Sequence, residues 1–289
     1  MPFDLIYSRN GNYSELSRET LQQDCPAAFT GHASPELSER YGFVSTAQAI
    51  DILADHGFAP VRAIQKPVRK ADQLPFADHM IAFKPTAAFS HNGHESPEIL
   101  LYNSHNGKSS LRLYAGIFRF VCSNGIVAGE GFSAKLRHSR LTADSFADMM
   151  IEQAQALPEL LERAENMKER DIDLSQAKAF TLKAASLRWD FDPNDSEHGR
   201  EYQGELRGAF ASRYTVMDML QSRRYEDRGP NLWRVFNRVQ ESLIRGGVSI
   251  LSYTDRKPYG TLRQAKAVAS LPETVRINRN LWDLADAIA

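Results

Sequence analysis

Residues Leu101 to Gly129 read LYNSHNGKSSLRLYAGIFRFVCSNGIVAG, and the reading of this stretch decides the fold. One apolar run ends at Asn103-Ser104-His105-Asn106-Gly107, and a second begins at Leu111. Asn and Gly both tolerate the positive φ that a type I′ turn requires, so Asn106-Gly107 predicts a tight β-hairpin. The returning strand alternates with a period of two. Leu111, Leu113, Ala115 and Ile117 fall on one face, and Ser110, Arg112, Tyr114, Gly116 and Phe118 on the other. Gly116 in mid-strand predicts a bulge or a close backbone approach.

Upstream, GFAPVRAIQKPVR reads as a strand that Pro60 and Pro67 confine to an edge or a bend. HMIAFKP and PEILLYN read as two further strands. Ser45 has the side chain of an N-cap, and Ala47, Ile50, Leu53 and Ala54 follow at helical spacing until Gly57 closes the helix. Residues 1–44 mix Gly, Ser, Asn and Pro and read as an extension of loops with short elements. GFSAKLRHS reads as a strand or as a loop leaving the sheet.

From Thr142 the apolar period changes from two to about 3.6. Phe146, Met149, Met150, Ala154, Leu157, Leu160, Leu161, Ala164 and Met167 form one stripe, which Pro158 either kinks or restarts. SQAKAFTLKAASLRW, NLWRVFNRVQESLIRG, TLRQAKAVAS and NRNLWDLADAIA all read as helices, WDFDPNDSEHGREYQGE as a loop, and residues 186–217 leave room for a strand. The expected fold is α+β. An N-terminal helix and a largely antiparallel sheet occupy residues 45–141, and a mainly helical region, 142–289, packs on that core, the alternative being one continuous domain.

Composition narrows the function. The chain of 289 residues has a formal net charge of −1, so any electrostatic role belongs to local patches rather than to the whole surface. Two cysteines, Cys25 and Cys122, without a Cys-x-x-Cys pair argue against a disulfide scaffold and a structural zinc site. No apolar run approaches the roughly 20 residues of a membrane span, and the N-terminus lacks the basic and apolar regions of a secretory signal. A cytoplasmic location without membrane contact is the expectation. Neither a phosphate loop of the Gly-x-x-x-x-Gly-Lys type nor a strand-anchored Gly-x-Gly-x-x-Gly occurs, and no cofactor is expected.

The strongest local patch lies on the opening stretch and its continuation. Between Leu101 and Arg140 there are six basic residues (Lys108, Arg112, Arg119, Lys135, Arg137 and Arg140) and one acidic residue, Glu130. Arg112, Tyr114 and Phe118 share one strand face, and a cationic, aromatic face suits single-stranded nucleic acid, which offers phosphates and flat bases. Asn103, His105, Lys108 and His138 complete the candidate set around the turn. The competing reading covers this face with helices, makes Tyr114 and Phe118 core and pairs Arg112 with a carboxylate.

Other constellations have ordinary readings beside them. Cys122 with His105 or His138 has the composition of a nucleophile and its base, but it ends a run that looks buried, where free cysteines behave as small hydrophobes. Asp190, Asp192, Asp195, Glu197 and His198 have the ligands for a divalent cation and a nuclease, yet match no known spacing and suit a hydrated loop. Arg223, Arg224 and Arg228, then Arg256, Lys257, Arg263 and Lys266, repeat the basic-aromatic theme beside Tyr253 and Tyr259. Surface cations on helices are commonly just solvated.

At Asn103–Gly107, Arg119-Phe120-Val121-Cys122-Ser123-Asn124 and Lys135–Ser139 the chain resembles phage/plasmid-like proteins grouped under a domain of unknown function. The ending NRNLWDLADAIA is similar to theirs, with Asn278, Leu281, Trp282, Leu284 and Ala285 matching. Asn106 stands where Asp is more usual, which keeps the turn chemistry and removes a charge. The resemblance implies a home on phages, prophages or plasmids and implies no activity. A helix followed by an antiparallel sheet with a basic face also resembles, more remotely, the core of phage single-strand annealing proteins. The expected function is therefore a non-catalytic accessory protein that binds nucleic acid, single-stranded DNA above all, with self-association compatible. The alternatives are a factor that occupies a host defence or replication protein, and a metal-dependent nuclease.

Overall fold

The computed structural model describes residues 14–86, 95–119, 125–127, 133–136, 148–152, 155, 157–189, 208–210, 213–254, 257–268 and 271–289. The chain divides between Leu161 and Glu162 into two compact units, beyond the change of period at Thr142.

The N-terminal unit is built on six antiparallel strands: β1 (Phe58–Gln65), β2 (His79–Pro85), β3 (Glu95–Asn103), β4 (Leu111–Arg119), β5 (Gly125–Val127) and β6 (Ser133–Leu136). The order β1-β2-β3-β4 is a simple meander with β1 at the edge, where a bulge between Pro60 and Arg62 accommodates the proline. Both β5 and β6 pair with β4: Gly116 faces Val127 and Tyr114 faces Ser133. Six residues on that side thus span what two span on β4, so the two short strands are one edge interrupted by an insertion.

Helices α1 (Arg18–Asp24) and α2 (Thr46–Asp55) and the 3-10 turn Pro26–Phe29 belong to the same unit. Ser45 caps α2 by accepting the Gln48 amide at 3.2 Å, and Gly57, at φ 79°, ends it as the sequence implies. The described residues before Ser45, 14–44, are tied into this unit. The Leu16 amide donates to the Pro60 carbonyl at 2.8 Å, and Leu21, Cys25, Ala27 and Ala28 are buried. Leu111, Leu113, Ala115 and Ile117 are buried too, with Ile81, Phe83, Ile99 and Leu101, as the alternation requires.

Three expectations need correction. The hairpin has no two-residue turn: β3 ends at Asn103 and β4 begins at Leu111, so residues 104–110 form a longer loop. Side chains close it, because Asn103 Oδ1 accepts the Ser104 amide at 2.8 Å and Ser104 Oγ takes the Ser109 amide at 3.2 Å. Gly107 keeps the positive φ (72°), and a Cβ there would come 2.6 Å from Leu37. Gly116 makes no bulge; it pairs in register with Glu98. Thirdly, TLRQ belongs to a strand and not to a helix.

That strand lies in the C-terminal unit, where β7 (Gly208–Phe210), β8 (Ser249–Thr254) and β9 (Lys257–Gln264) form a three-stranded antiparallel sheet. The Leu-Arg-Gln-Ala-Lys run favours helix, but pairing of Ile250 with Arg263 and Leu251 with Leu262 overrides that weak preference. The helices among the described residues are α3 (Leu157–Glu169), which contains Pro158 in its first turn, α4 (Leu174–Ala185), α5 (Arg213–Leu220), α6 (Leu232–Arg245) and α7 (Leu271–Asp286). A capping box between Asp173 and Gln176 opens α4, and Asn231 caps α6. Helix α6 is the centre: Leu232, Trp233, Val235, Phe236, Val239, Leu243 and Ile244 are all buried, as are the polar Asn237, Gln240, Glu241 and Ser242. Among the described residues no helix is long and apolar enough to cross a membrane.

Candidate nucleic-acid interface at the loop end of the sheet

Strand β1 ends, β2 begins, β3 ends, β4 begins and β6 ends at the same edge of the N-terminal sheet, since Gln65 pairs with His79, His79 with Asn103 and Leu111 with Leu136. Three segments meet there: residues 66–78 with their 3-10 turn Ala71–Phe76, the loop 104–110, and the stretch around Ser34–Tyr41. The His105 amide donates to the Phe76 carbonyl at 3.2 Å, the Ser34 amide to the His105 carbonyl at 2.9 Å, and the Tyr41 hydroxyl to the Ser104 carbonyl at 3.1 Å. The loop tip is thereby fastened to both neighbours.

Beneath it lies a closed polar cluster. His79 Nδ1 lies 2.9 Å from the Ala77 carbonyl, which only accepts, so Nδ1 carries the proton and Nε2 takes the Thr46 hydroxyl proton at 2.8 Å. Asn103 Nδ2 donates to Thr46 Oγ1 at 3.0 Å, and His105 Nε2 is left to donate to the same oxygen at 3.4 Å. The hydroxyl thus gives one bond and accepts two. Thr46, His79, Asn103 and His105 are all fully buried.

Burial lowers the His79 pKa to about 4, because a second ring proton loses water and would point at a hydroxyl already occupied. The unfolded imidazole, near 6.5, therefore binds protons first. His79 contributes stability above pH 6.5 that is lost as pH falls toward 4, by about 3 kcal/mol for a shift of this size. Burial raises the Glu98 carboxyl, which acts in the opposite sense. Urea titrations of wild type and His79→Gln from pH 7 to 4 should therefore differ in slope, the variant falling less. Parallel curves would contradict the assignment.

This cluster changes the role of three candidate residues. Asn103 and His105 are fully buried and Tyr114 is 5% exposed, so none offers a surface to phosphate or base. The Asn-Ser-His turn ties the loop to α2 instead, and Tyr114 belongs to the core. Arg112 is half-buried with its guanidinium carbon 5.8 Å from the Tyr102 ring centre. Lys108 is exposed. Phe118 and Arg119 lie on β4 and Lys135 on β6, where only their register is described; Arg137 and His138 lie outside the described residues.

The same edge carries cations that the sequence reading passed over. Lys66, Arg69 and Lys70 are exposed in the β1–β2 connection. Their signal was present as Lys-Pro-Val-Arg-Lys, but the prolines drew attention to strand geometry. With Lys108, Arg112 and Arg40 they share this end of the sheet with Glu36, Glu39, Asp72 and Asp78, and Lys66 Nζ lies 3.5 Å from Asp78. Register sets Lys135 directly opposite Arg112.

Further along the same face Arg62 donates to Glu98, and Lys84 is buried close by. Burial holds the Lys84 pKa down and the neighbouring Glu98 carboxylate opposes it. These charges come from three strands, and no linear motif joins them.

In the C-terminal unit the basic residues divide. Arg224 is spent on Glu241, with Nε to Oε2 at 3.2 Å and Nη2 to Oε1 at 2.6 Å, while Arg263 donates to Ser252 Oγ. Arg223, Arg228 and Lys266 are exposed; Arg256 lies outside the described residues, as do the side chain of Lys257, Cys122 and the Asp190–His198 loop. Among the described residues no group of three or more His, Cys, Asp and Glu is placed to hold a metal ion. The Cys25 thiol is buried and pushed up to about 12, far from the thiolate a nucleophile needs.

The fold is that of an α+β protein, and the chain belongs to the family described as Domain of unknown function (DUF932), whose profile matches residues 36–282. It is similar to the UPF0380 proteins YafZ and YfjQ of Escherichia coli (strain K12), each 30% identical over 276 residues, covering 94% of this chain and 91% of theirs. No solved structure matches.

Proposed function

We propose that this protein binds single-stranded nucleic acid, DNA above all, through the loop end of its N-terminal sheet and catalyses no reaction. The observation that carries the reading is the convergence of exposed Lys66, Arg69, Lys70 and Lys108 from two loops at the edge where Arg112 and Lys135 stand opposite one another. Phosphates neutralise such a set, and the loop tip is held rigid by main-chain bonds, so little ordering is needed on binding. Arg119 pairs with Glu95 at the opposite end of β4, so it is not part of this convergence. The resemblance to phage/plasmid-like proteins supports a cytoplasmic accessory role on a mobile element.

The test is titration of a labelled thirty-nucleotide oligo(dT) from 50 to 200 mM salt. Each phosphate contact to a single strand contributes about 0.7 to the log–log slope. Arg69→Glu/Lys70→Glu/Lys108→Glu, all exposed, should make the slope shallower by about 2 and weaken binding at least about tenfold at low salt. Salt-insensitive binding, or none at 50 mM, overturns the proposal.

A second reading, occupation of a host protein, is favoured by one observation: Leu174, Met217 and Leu262 of the C-terminal unit are 60%, 44% and 63% exposed. Affinity capture with and without nuclease separates the two, because a stoichiometric partner that survives nuclease belongs to this second reading.

A further inference from the structure

Burial of Tyr114 removes one of the flat rings that single strands ordinarily use. The C-terminal unit carries one. Tyr225 is 77% exposed, the most exposed of the large apolar side chains among the described residues. It sits in the connection between α5 and α6, in the run Arg223-Arg224-Tyr225-Glu226-Asp227-Arg228.

This connection is held firmly. Arg224 grips Glu241 of α6 through two hydrogen bonds. From α6, Arg238 Nη1 donates to the carbonyls of Asp227 at 3.0 Å and Gly229 at 3.3 Å. The Arg228 amide closes a turn onto the Tyr225 carbonyl at 3.1 Å, and Ser222 Oγ donates to the Arg224 carbonyl. Arginines that would otherwise serve as surface charge are committed to fixing the backbone on either side of the ring.

What remains outward is an aromatic residue between two cations. Arg223 and Arg228 are exposed, and the Arg228 guanidinium carbon lies 5.4 Å from the Tyr225 ring centre. A hydrophobic partner would leave both guanidinium groups to be desolvated, whereas a polyanion with planar bases matches ring and charge alike. Glu226 is the single exposed acid in the run.

We infer that Tyr225 is a base-stacking platform for single-stranded nucleic acid, with Arg223 and Arg228 contacting the adjoining phosphates. This surface belongs to the C-terminal unit, whereas the loop end of the sheet belongs to the N-terminal one. The inference rests on the nucleic-acid reading, although not on that surface.

The experiment compares labelled oligo(dT) with an abasic oligomer of the same length, using the full chain. Tyr225→Ala should weaken oligo(dT) binding about tenfold, the usual scale for loss of one stacked base, and leave the abasic oligomer unaffected. Tyr225→Phe should bind as wild type. Arg223→Glu/Arg228→Glu should weaken both oligomers and make the salt slope shallower by about 1.4. Equal oligo(dT) binding by wild type and Tyr225→Ala overturns the inference and leaves the sheet-edge reading intact, as does equal loss on both oligomers. Full binding by the Arg69/Lys70/Lys108 variant, with loss in Tyr225→Ala, upholds the platform and removes the sheet edge. Absence of binding by wild type removes both.

Discussion

Glu98→Ala should destabilise the N-terminal unit by about 3–5 kcal/mol, the usual cost of removing one partner from a buried ion pair. Glu98 is fully buried and accepts from Arg62, itself 9% exposed, with Lys84 5% exposed close by. Removing the carboxylate takes away the anion to which Arg62 donates and which lies close to Lys84, while both cations stay buried. Replacing all three by apolar side chains of similar size, as in Arg62→Met/Lys84→Met/Glu98→Leu, should cost less than the single change, since no charge then needs water. The readout must be chosen with care. Trp189, Trp233 and Trp282 all belong to the C-terminal unit, so tryptophan fluorescence is blind to this transition and far-UV circular dichroism or tyrosine emission must follow it. A loss below about 1 kcal/mol for Glu98→Ala would contradict the buried pair.

Trp282→Ala should have a comparable effect on the other unit, about 3–5 kcal/mol. The indole is fully buried on α7 and meets Trp233 and Phe236 of α6 edge-on, at 5.9 and 5.4 Å between centres and 79° in each case. Trp233 and Phe236 are stacked on one another at 5.6 Å, so the three rings form one cluster joining the two helices. Arg163 of α3 lies over the same indole at 5.5 Å and bonds Asp286 at the end of α7. Trp282→Phe keeps an edge for the cluster and should lose roughly half as much. Here tryptophan emission is the right probe, with Trp233 reporting in the variant. Stability within 1 kcal/mol of wild type after Trp282→Ala would show that the cluster contributes little beyond its shape.

How much of this was readable beforehand depends on how local each cause is. The cap of α2, its end at Gly57, the edge position of β1 and the alternation along β4 follow from neighbouring residues, and they stand as read. Asn-Gly misled because Thr46, 57 and 59 residues away in sequence, holds Asn103 and His105 inward and stretches the turn. The TLRQ segment misled for a similar reason, since a weak preference yields to a ladder partner that sequence spacing does not reveal. Of the matching ending, Asn278, Leu281, Trp282 and Ala285 are fully buried and Leu284 is half-buried, so most of that part of the resemblance reflects packing. At the candidate site Lys108 and Arg112 were readable as a basic run. Lys66, Arg69 and Lys70 join them only through the pairing of β1 with β2. Nor does Tyr225 stand out from other tyrosines until its exposure is known.

The fastening of the loop tip also constrains the order in which the molecule assembles. Helix α2 spans ten residues, too few to persist alone in water. Its Thr46 bonds His79, Asn103 and His105, and Tyr41 reaches forward to Ser104. A growing chain must therefore complete the third strand before its first helical layer can lock, and the N-terminal segment waits, loosely held, for residues made well after it.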